Sequence, residues 1–158
     1  MTHILILPFQ LKQTTMNDVK VTHRRGSLFT APSHCSLAHC ISRDARMNRG
    51  IASEFRKRFG RDRILQLNAS VGEVAALRCG NRFVYNLVTK NHAVGKPTYN
   101  TVRRSIIAMK NHAIQHGVRC IAMPRIASGL DGLDWPRVYQ MLITIFKGTQ
   151  IELVIYHL

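Results

Sequence analysis

Two ionisable side chains stand where apolar segments give way to loops. Lys90 emerges just beyond the run Phe83-Val84-Tyr85-Asn86-Leu87-Val88, and Asp131 lies between Gly129 and Gly132 in R-I-A-S-G-L-D-G-L-D-W. An amine attacks an electrophilic carbon only in its neutral form, which partial burial or neighbouring cations favour. A carboxylate in a glycine-flanked loop is a candidate proton carrier. Together they suit displacement at carbon assisted by proton transfer. Each also has a plain structural reading: a solvated lysine at a strand end, and an aspartate forming an Asx turn. Asp134 differs, because it precedes Trp135-Pro136 and reads as a helix N-cap with proline in the first turn, where no donor is missed.

A third loop, Ser42-Arg43-Asp44-Ala45-Arg46-Met47-Asn48-Arg49-Gly50-Ile51-Ala52, runs straight into a helical pattern. Backbone amides at a helix start, with a glycine that lets the chain approach closely, suit a phosphate group; a polar connector with a cap is the simpler reading. Ser33-His34-Cys35-Ser36-Leu37-Ala38-His39-Cys40 carries zinc-capable side chains, but a strand there puts His39 and Cys40 on opposite faces, and no distant C-x-x-C completes a set. No metal site is expected, and Cys40 reads as a buried free thiol rather than a nucleophile. The run Arg56-Lys57-Arg58-Phe59-Gly60-Arg61-Asp62-Arg63 reads as a solvated helix end that also offers charge to a polyanion.

The elements that must position these residues alternate. Strands are predicted at Val19–Thr22, Leu37–Ile41, Glu73–Leu77, Phe83–Val88, Ile121–Met123 and Ile151–Tyr156, with helices over Gly50–Phe59, Thr98–His116 and Trp135–Phe146. Gly80-Asn81 between two strand patterns predicts a tight hairpin with positive φ, hence one antiparallel pair. Val102, Ile106, Met109 and Ala113 share one helical face behind Pro97, and Gly117 stops that helix. The alternation predicts an α/β fold, a three-layer α/β/α domain around a mixed sheet. Ligands in such sheets sit beyond the carboxyl ends of strands, where all three loops fall.

Bulk properties agree with one domain: 158 residues, 46% of them hydrophobic, can enclose a core. With 23 basic and 8 acidic residues the formal charge is +15, which points to an anionic partner without choosing among phosphorylated small molecules, nucleic acid and anionic surfaces. The four cysteines have neither C-x-x-C spacing nor disulfide-scaffold density, so a reducing compartment is expected. Ile4-Leu5-Ile6-Leu7 is cut short by Pro8, and no run is long enough to span a bilayer, so no membrane partner is expected. Residues 1–18 read as an extension and 19–158 as the domain, expected to be monomeric.

Several segments then carry a resemblance: G-S-L-F, L-A-H-C-I-S-R-D-A-R-M-N-R-G-I-A, L-V-T-K, K-P-T-Y, M-P-R-I-A-S-G-L-D-G-L-D-W and the final Y-H-L. In this order, from about Val19 to Leu158, the chain resembles the terminal ADP-ribose protein glycohydrolase family of the macrodomain superfamily. The resemblance implies a macrodomain that needs no cofactor, binds ADP-ribose and removes it from acidic side chains of mono-ADP-ribosylated proteins, with related activity on O-acetyl-ADP-ribose. It implies Lys90 as nucleophile at the anomeric carbon of the distal ribose and Asp131 as the acid that helps resolve a lysyl adduct. It also implies a ligand loop of Arg125, Ile126, Ala127, Ser128, Gly129 and Leu130, with further contacts at Ser27, Leu28, Ser42, Met47, Gly50, Ile51 and Leu158.

One tension comes with it: a tight Lys90–Asp131 pair in the free enzyme would hold the amine as ammonium and oppose attack, so substrate must separate the pair or move a proton within it. There are departures too. Ser27 stands where the family has an aspartate that accepts from adenine, and hydrogen bonds to charged groups contribute about 1.5–3 kcal/mol against roughly 1 for neutral pairs. The family's M-G-A-G-I-A is Met47-Asn48-Arg49-Gly50-Ile51-Ala52 here, and its loop glycine is Ala127, whose β-carbon matters if the position needs positive φ. The alternative function is a non-catalytic reader of ADP-ribose, poly-ADP-ribose or RNA. The expected compartment is nuclear or cytoplasmic, with a weak mitochondrial targeting role for residues 1–18 left open.

Overall fold

The order of elements follows from where the chain can bury apolar side chains and where it must stop. The computed structural model describes residues 18–158, so all but the last residue of the expected extension lies outside the described residues. It contains β1 (Val21–Arg25), a short 3₁₀ turn (Leu28–Thr30), β2 (Ser36–Ser42), α1 (Gly50–Phe59), α2 (Asp62–Leu67), β3 (Val74–Cys79), β4 (Arg82–Lys90), α3 (Tyr99–Gln115), β5 (Cys120–Met123), α4 (Trp135–Phe146) and β6 (Glu152–His157). The sheet order is β1-β6-β5-β2-β4-β3. Every neighbouring pair is parallel except β3–β4, the hairpin turned through Gly80 at φ +62°.

Side chains alternate across the sheet as the pleat requires. Leu37, Ile41, Val84, Val88, Ala122 and Val154 face α1 and α2, where Phe55 and Ile64 meet them. Ala38, Tyr85, Leu87, Ile121, Met123 and Leu153 face α3 and α4, against Val102, Ile106, Met109, Val138 and Leu142. Three layers result, with a core on each side of the sheet. Among the described residues no helix is long and apolar enough to cross a membrane.

Caps set the long helices. The Thr98 hydroxyl accepts from the Thr101 amide at 3.1 Å and the Thr101 hydroxyl accepts from the Thr98 amide at 3.1 Å, a closed box at the start of α3. Asp134 accepts from the Arg137 amide at 3.3 Å, as an N-cap of α4 should.

Three expectations change. β1 starts two residues and ends three residues later than predicted because its partner fixes it: Val21 lies opposite Leu153 and Arg25 opposite His157. The end of the basic run is not merely a solvated tail but the short helix α2, whose Ile64 is buried beneath the sheet. Finally, Cys35 and Cys120 form a disulfide, against the expectation of a fully reduced chain. Their sequence separation of 85 hides a contact that arises because β2 and β5 run side by side, with Ser36 opposite Ile121.

One buried histidine makes the fold sensitive to acid. His39 stacks on Phe55 with centroids 3.7 Å apart, and its Nε2 lies 2.6 Å from Asn86 Oδ1. Because the Asn86 amide nitrogen donates to Ala75 O at 3.1 Å, its oxygen is the acceptor, so Nε2 carries the proton and Nδ1 has no partner. Burial lowers the His39 pKa to about 4, against the Asn86 hydrogen bond that raises it. The unfolded chain therefore binds the proton first as pH falls. Stability is full above the unfolded value near 6.5 and declines between there and about 4, by on the order of 3 kcal/mol. Urea unfolding across that window should show the decline, and His39→Gln should flatten it; an equal slope in both proteins contradicts the assignment.

Candidate active site

Parallel strands bring their carboxyl ends to one edge, so the ends of β2 and β4 and the loop after β5 converge there. At that edge the β2–β4 register shifts: Ile41 lies opposite Val88, but Ser42 lies opposite Lys90, leaving Thr89 as the extra residue. A bulge of this kind bends the strand and re-aims the next side chain. Here the next side chain is Lys90. Its Nζ donates to Asp131 Oδ1 at 2.8 Å, and the two side chains are only 15% and 16% exposed.

The loop that carries Asp131 is tied down by its own backbone. Gly132 N donates to Gly129 O at 3.1 Å and Leu133 N to Ala127 O at 2.9 Å. Lys96, from the loop after β4, donates to Leu130 O at 2.6 Å and joins that loop to the one carrying Asp131. On the opposite side, Asp44 accepts from the Ser42 hydroxyl and, at 3.4 Å, from the Ala93 amide. Burial works against the Asp44 carboxylate, but those hydrogen bonds, with Arg46 and His92 nearby, hold it below its ordinary range. Two arginines of the basic run act here as staples: Arg61 donates to Ala45 O and Asp44 O, and Arg56 to Arg46 O, at 2.6–2.8 Å.

These loops enclose a cleft of about 590 Å³. Lys90 and Asp131 line it, as do Ser42, Met47, Gly50 and Ile51 from the β2–α1 side. Arg125, Ile126, Ala127, Gly129 and Leu130 line the other wall. Four further expected residues do not line it. The Ser27 hydroxyl accepts from the Phe29 amide at 3.2 Å and caps the 3₁₀ turn, and Leu28 is buried in the core. Ser128 turns back to donate to Ile126 O at 3.0 Å, and Leu158 is an exposed chain end.

The loop after Lys90 supplies Ala93, Val94, Gly95 and Lys96 to the lining, as expected of a loop beyond a strand's carboxyl end, whereas His39 and Pro124 line the cleft without having been singled out for it. Nothing in local patterning marks those two. Cys40 also lines the cleft, but burial first and the Asp131 charge second push its thiol up to about 12, so it stays protonated. That removes it as a thiolate nucleophile near neutral pH.

Ala127 adopts φ +61°, in the left-handed region where a β-carbon is unfavourable. Ala127→Gly should raise stability by up to about 1 kcal/mol, because relief of the left-handed strain offsets the greater freedom of the unfolded chain. A thermal melt with an unchanged or lower midpoint would mean the loop bears no strain there.

A sequence pattern describing the Macro domain matches residues 38–142. The chain belongs to the macrodomain family. This macrodomain is 44% identical over 140 residues to a human protein named ADP-ribose glycohydrolase OARD1, covering 88% of this chain and 92% of that one. Among solved structures it is similar to the macrodomain of Mycobacterium tuberculosis DarG, with a TM-score of 0.79, 21% identity, and coverage of 87% of this chain and 97% of the other. It also resembles Thermosipho africanus DarTG, solved in complex with ADP-ribose, with a TM-score of 0.72 and 17% identity over 85% of this chain and 41% of that one. At these identities the structural likenesses establish the fold, and the α/β/α macrodomain expected from the motifs is the fold observed.

Proposed function

We propose that this macrodomain is a hydrolase that releases ADP-ribose from acidic side chains of mono-ADP-ribosylated proteins, with O-acetyl-ADP-ribose as a related small substrate. The observation that carries the reading is the Lys90–Asp131 pair, 2.8 Å apart and mostly shielded, in a cleft of about 590 Å³. The human relative's name, ADP-ribose glycohydrolase, supports the same reading.

Lys90 must be neutral to attack, and Asp131 is the group placed to take its proton. The amine nitrogen then bonds to the anomeric carbon of the distal ribose while the carbon–oxygen bond to the protein ester breaks. The leaving carboxylate keeps the electron pair. Asp131 then gives up to solvent the proton it took, and as a carboxylate it accepts a proton from the water that displaces the amine at the anomeric carbon; returning that proton to the freed amine restores the starting pair. Backbone amides of the 125–130 loop and of the start of α1 are suited to the diphosphate. No metal or redox group has a part in this sequence.

The experiment is release of free ADP-ribose from protein carrying glutamate-linked modification, with a serine-linked substrate as comparison. Release from the glutamate-linked protein alone is expected; failure to release it ends the proposal. The +15 charge favours a second reading, a non-catalytic binder of poly-ADP-ribose or RNA. That reading requires affinity that falls steeply with salt through counterion release, whereas a single ADP-ribose in the cleft is far less sensitive.

A further inference from the structure

Arg49, Lys90, Lys96 and Arg125 line the cleft, and among the described residues Asp131 is the only acid that does so. Lys90 and Asp131 offset each other, which leaves three cations. Among the described residues none of the three has a carboxylate partner. Lys96 donates to a neutral carbonyl, Leu130 O, and an ammonium has three donors, so its charge and two of its N–H groups stay available. Asp44, on the β2–α1 loop, is already held by Ser42, Arg46 and Ala93. A diphosphate carries about two negative charges and leaves a positive surplus.

Arg49 stands apart from the rest of the wall. It is exposed at the N-cap of α1, and its side chain makes no capping bond. Across from it the rim is aliphatic: Val94 is 90% and Leu130 66% exposed, and a β-carbon on Gly50 would come within 3.2 Å of Leu130 Cδ1. Among the described residues no phenylalanine, tyrosine or tryptophan lines the cleft. The rim thus pairs cations with aliphatic contacts and lacks the stacking surface that single-stranded nucleic acid uses.

We infer that this rim selects acidic peptide, so that the ADP-ribosylated carboxyl group is removed preferentially from within a run of Asp and Glu. The inference rests on the hydrolase reading and specifies its substrate. Arg49 and Lys96 engage the unmodified flanking carboxylates, while the peptide's aliphatic parts rest on Val94 and Leu130. Complementary charge of this kind acts mainly on encounter and apparent affinity, so kcat/KM responds more than kcat.

The test uses the full chain and two peptides of equal length, each bearing one glutamate-linked ADP-ribose, flanked either by acids or by lysines. O-acetyl-ADP-ribose, which has no peptide, is the reference. At low ionic strength kcat/KM is expected to favour the acidic peptide by about tenfold or more, shrinking to about threefold or less near 0.5 M salt as charges are screened. Arg49→Glu should abolish or invert the preference when each peptide's kcat/KM is divided by that for O-acetyl-ADP-ribose in the same variant, a ratio that cancels any effect on the shared diphosphate. Equal kcat/KM for the two peptides, or a preference that Arg49→Glu leaves intact, overturns the inference. If no substrate turns over, the hydrolase reading fails, and the affinities of the two peptides still decide the rim's preference. Tighter capture of a single-stranded RNA than of the acidic peptide, lost in Arg49→Glu, overturns it in favour of nucleic acid.

Discussion

Lys90→Ala is expected to lower release of glutamate-linked ADP-ribose by on the order of 10³-fold or more, while affinity for free ADP-ribose changes by no more than about tenfold. The asymmetry follows from the site. In the proposed reaction the amine is the nucleophile, and the neighbouring thiol of Cys40, held protonated, does not replace it. The rest of the cleft wall does not depend on Lys90, since the ligand loop is tied by its own backbone bonds and by Lys96. Alanine does leave the Asp131 carboxylate partly shielded without its counter-charge, which on its own costs stability. Lys90→Arg separates the two effects: a guanidinium restores the charge opposite Asp131 but does not attack carbon at any ordinary pH. Both variants should therefore be inactive, with Lys90→Arg the more stable in a thermal melt. Turnover in Lys90→Arg within tenfold of wild type would remove the nucleophile and leave Lys90 a purely electrostatic role.

Asp131→Asn should cost about 10²–10⁴-fold in turnover, the range over which a positioned general acid or base contributes. The substitution keeps the shape and an oxygen that can accept from Lys90, so the loop should stay folded, anchored by the Gly132–Gly129 and Leu133–Ala127 bonds. What it loses is the group that takes and returns a proton. If first-step attack survives better than hydrolysis of the adduct, intact-protein mass spectrometry should show a covalent increment on the chain after incubation with substrate. Lys90→Arg/Asp131→Asn should show none. Undiminished turnover in Asp131→Asn would take the proton-carrying role away from it.

The amino-acid sequence by itself determined the layered α/β plan and the individual helices and turns. Thr98, Asp134 and Gly117 mark helix ends through contacts a few residues long, the Gly80 turn joins two strands adjacent in the chain, and the alternation in Leu37–Ile41 assigns His39 and Cys40 to opposite faces. Such signals are local, so a single sequence carries them. It also marked Lys90 and Asp131 as worth pairing, through their places after a buried strand and between glycines.

Only the tertiary structure decided how distant segments meet. The bulge at Thr89 depends on the register between β2 and β4, and the Cys35–Cys120 disulfide on β2 and β5 being neighbours. The short helix α2 forms where Ile64 finds a sheet to cover, and the arginines that read as solvated charge find backbone carbonyls of the β2–α1 loop. Ser27, Leu28, Ser128 and Leu158 fall outside the cleft lining, while His39 and Pro124 enter it. Local chemistry fixes what each segment prefers, but strand register and loop closure are settled by the summed packing of both cores, and no short window of sequence contains that sum.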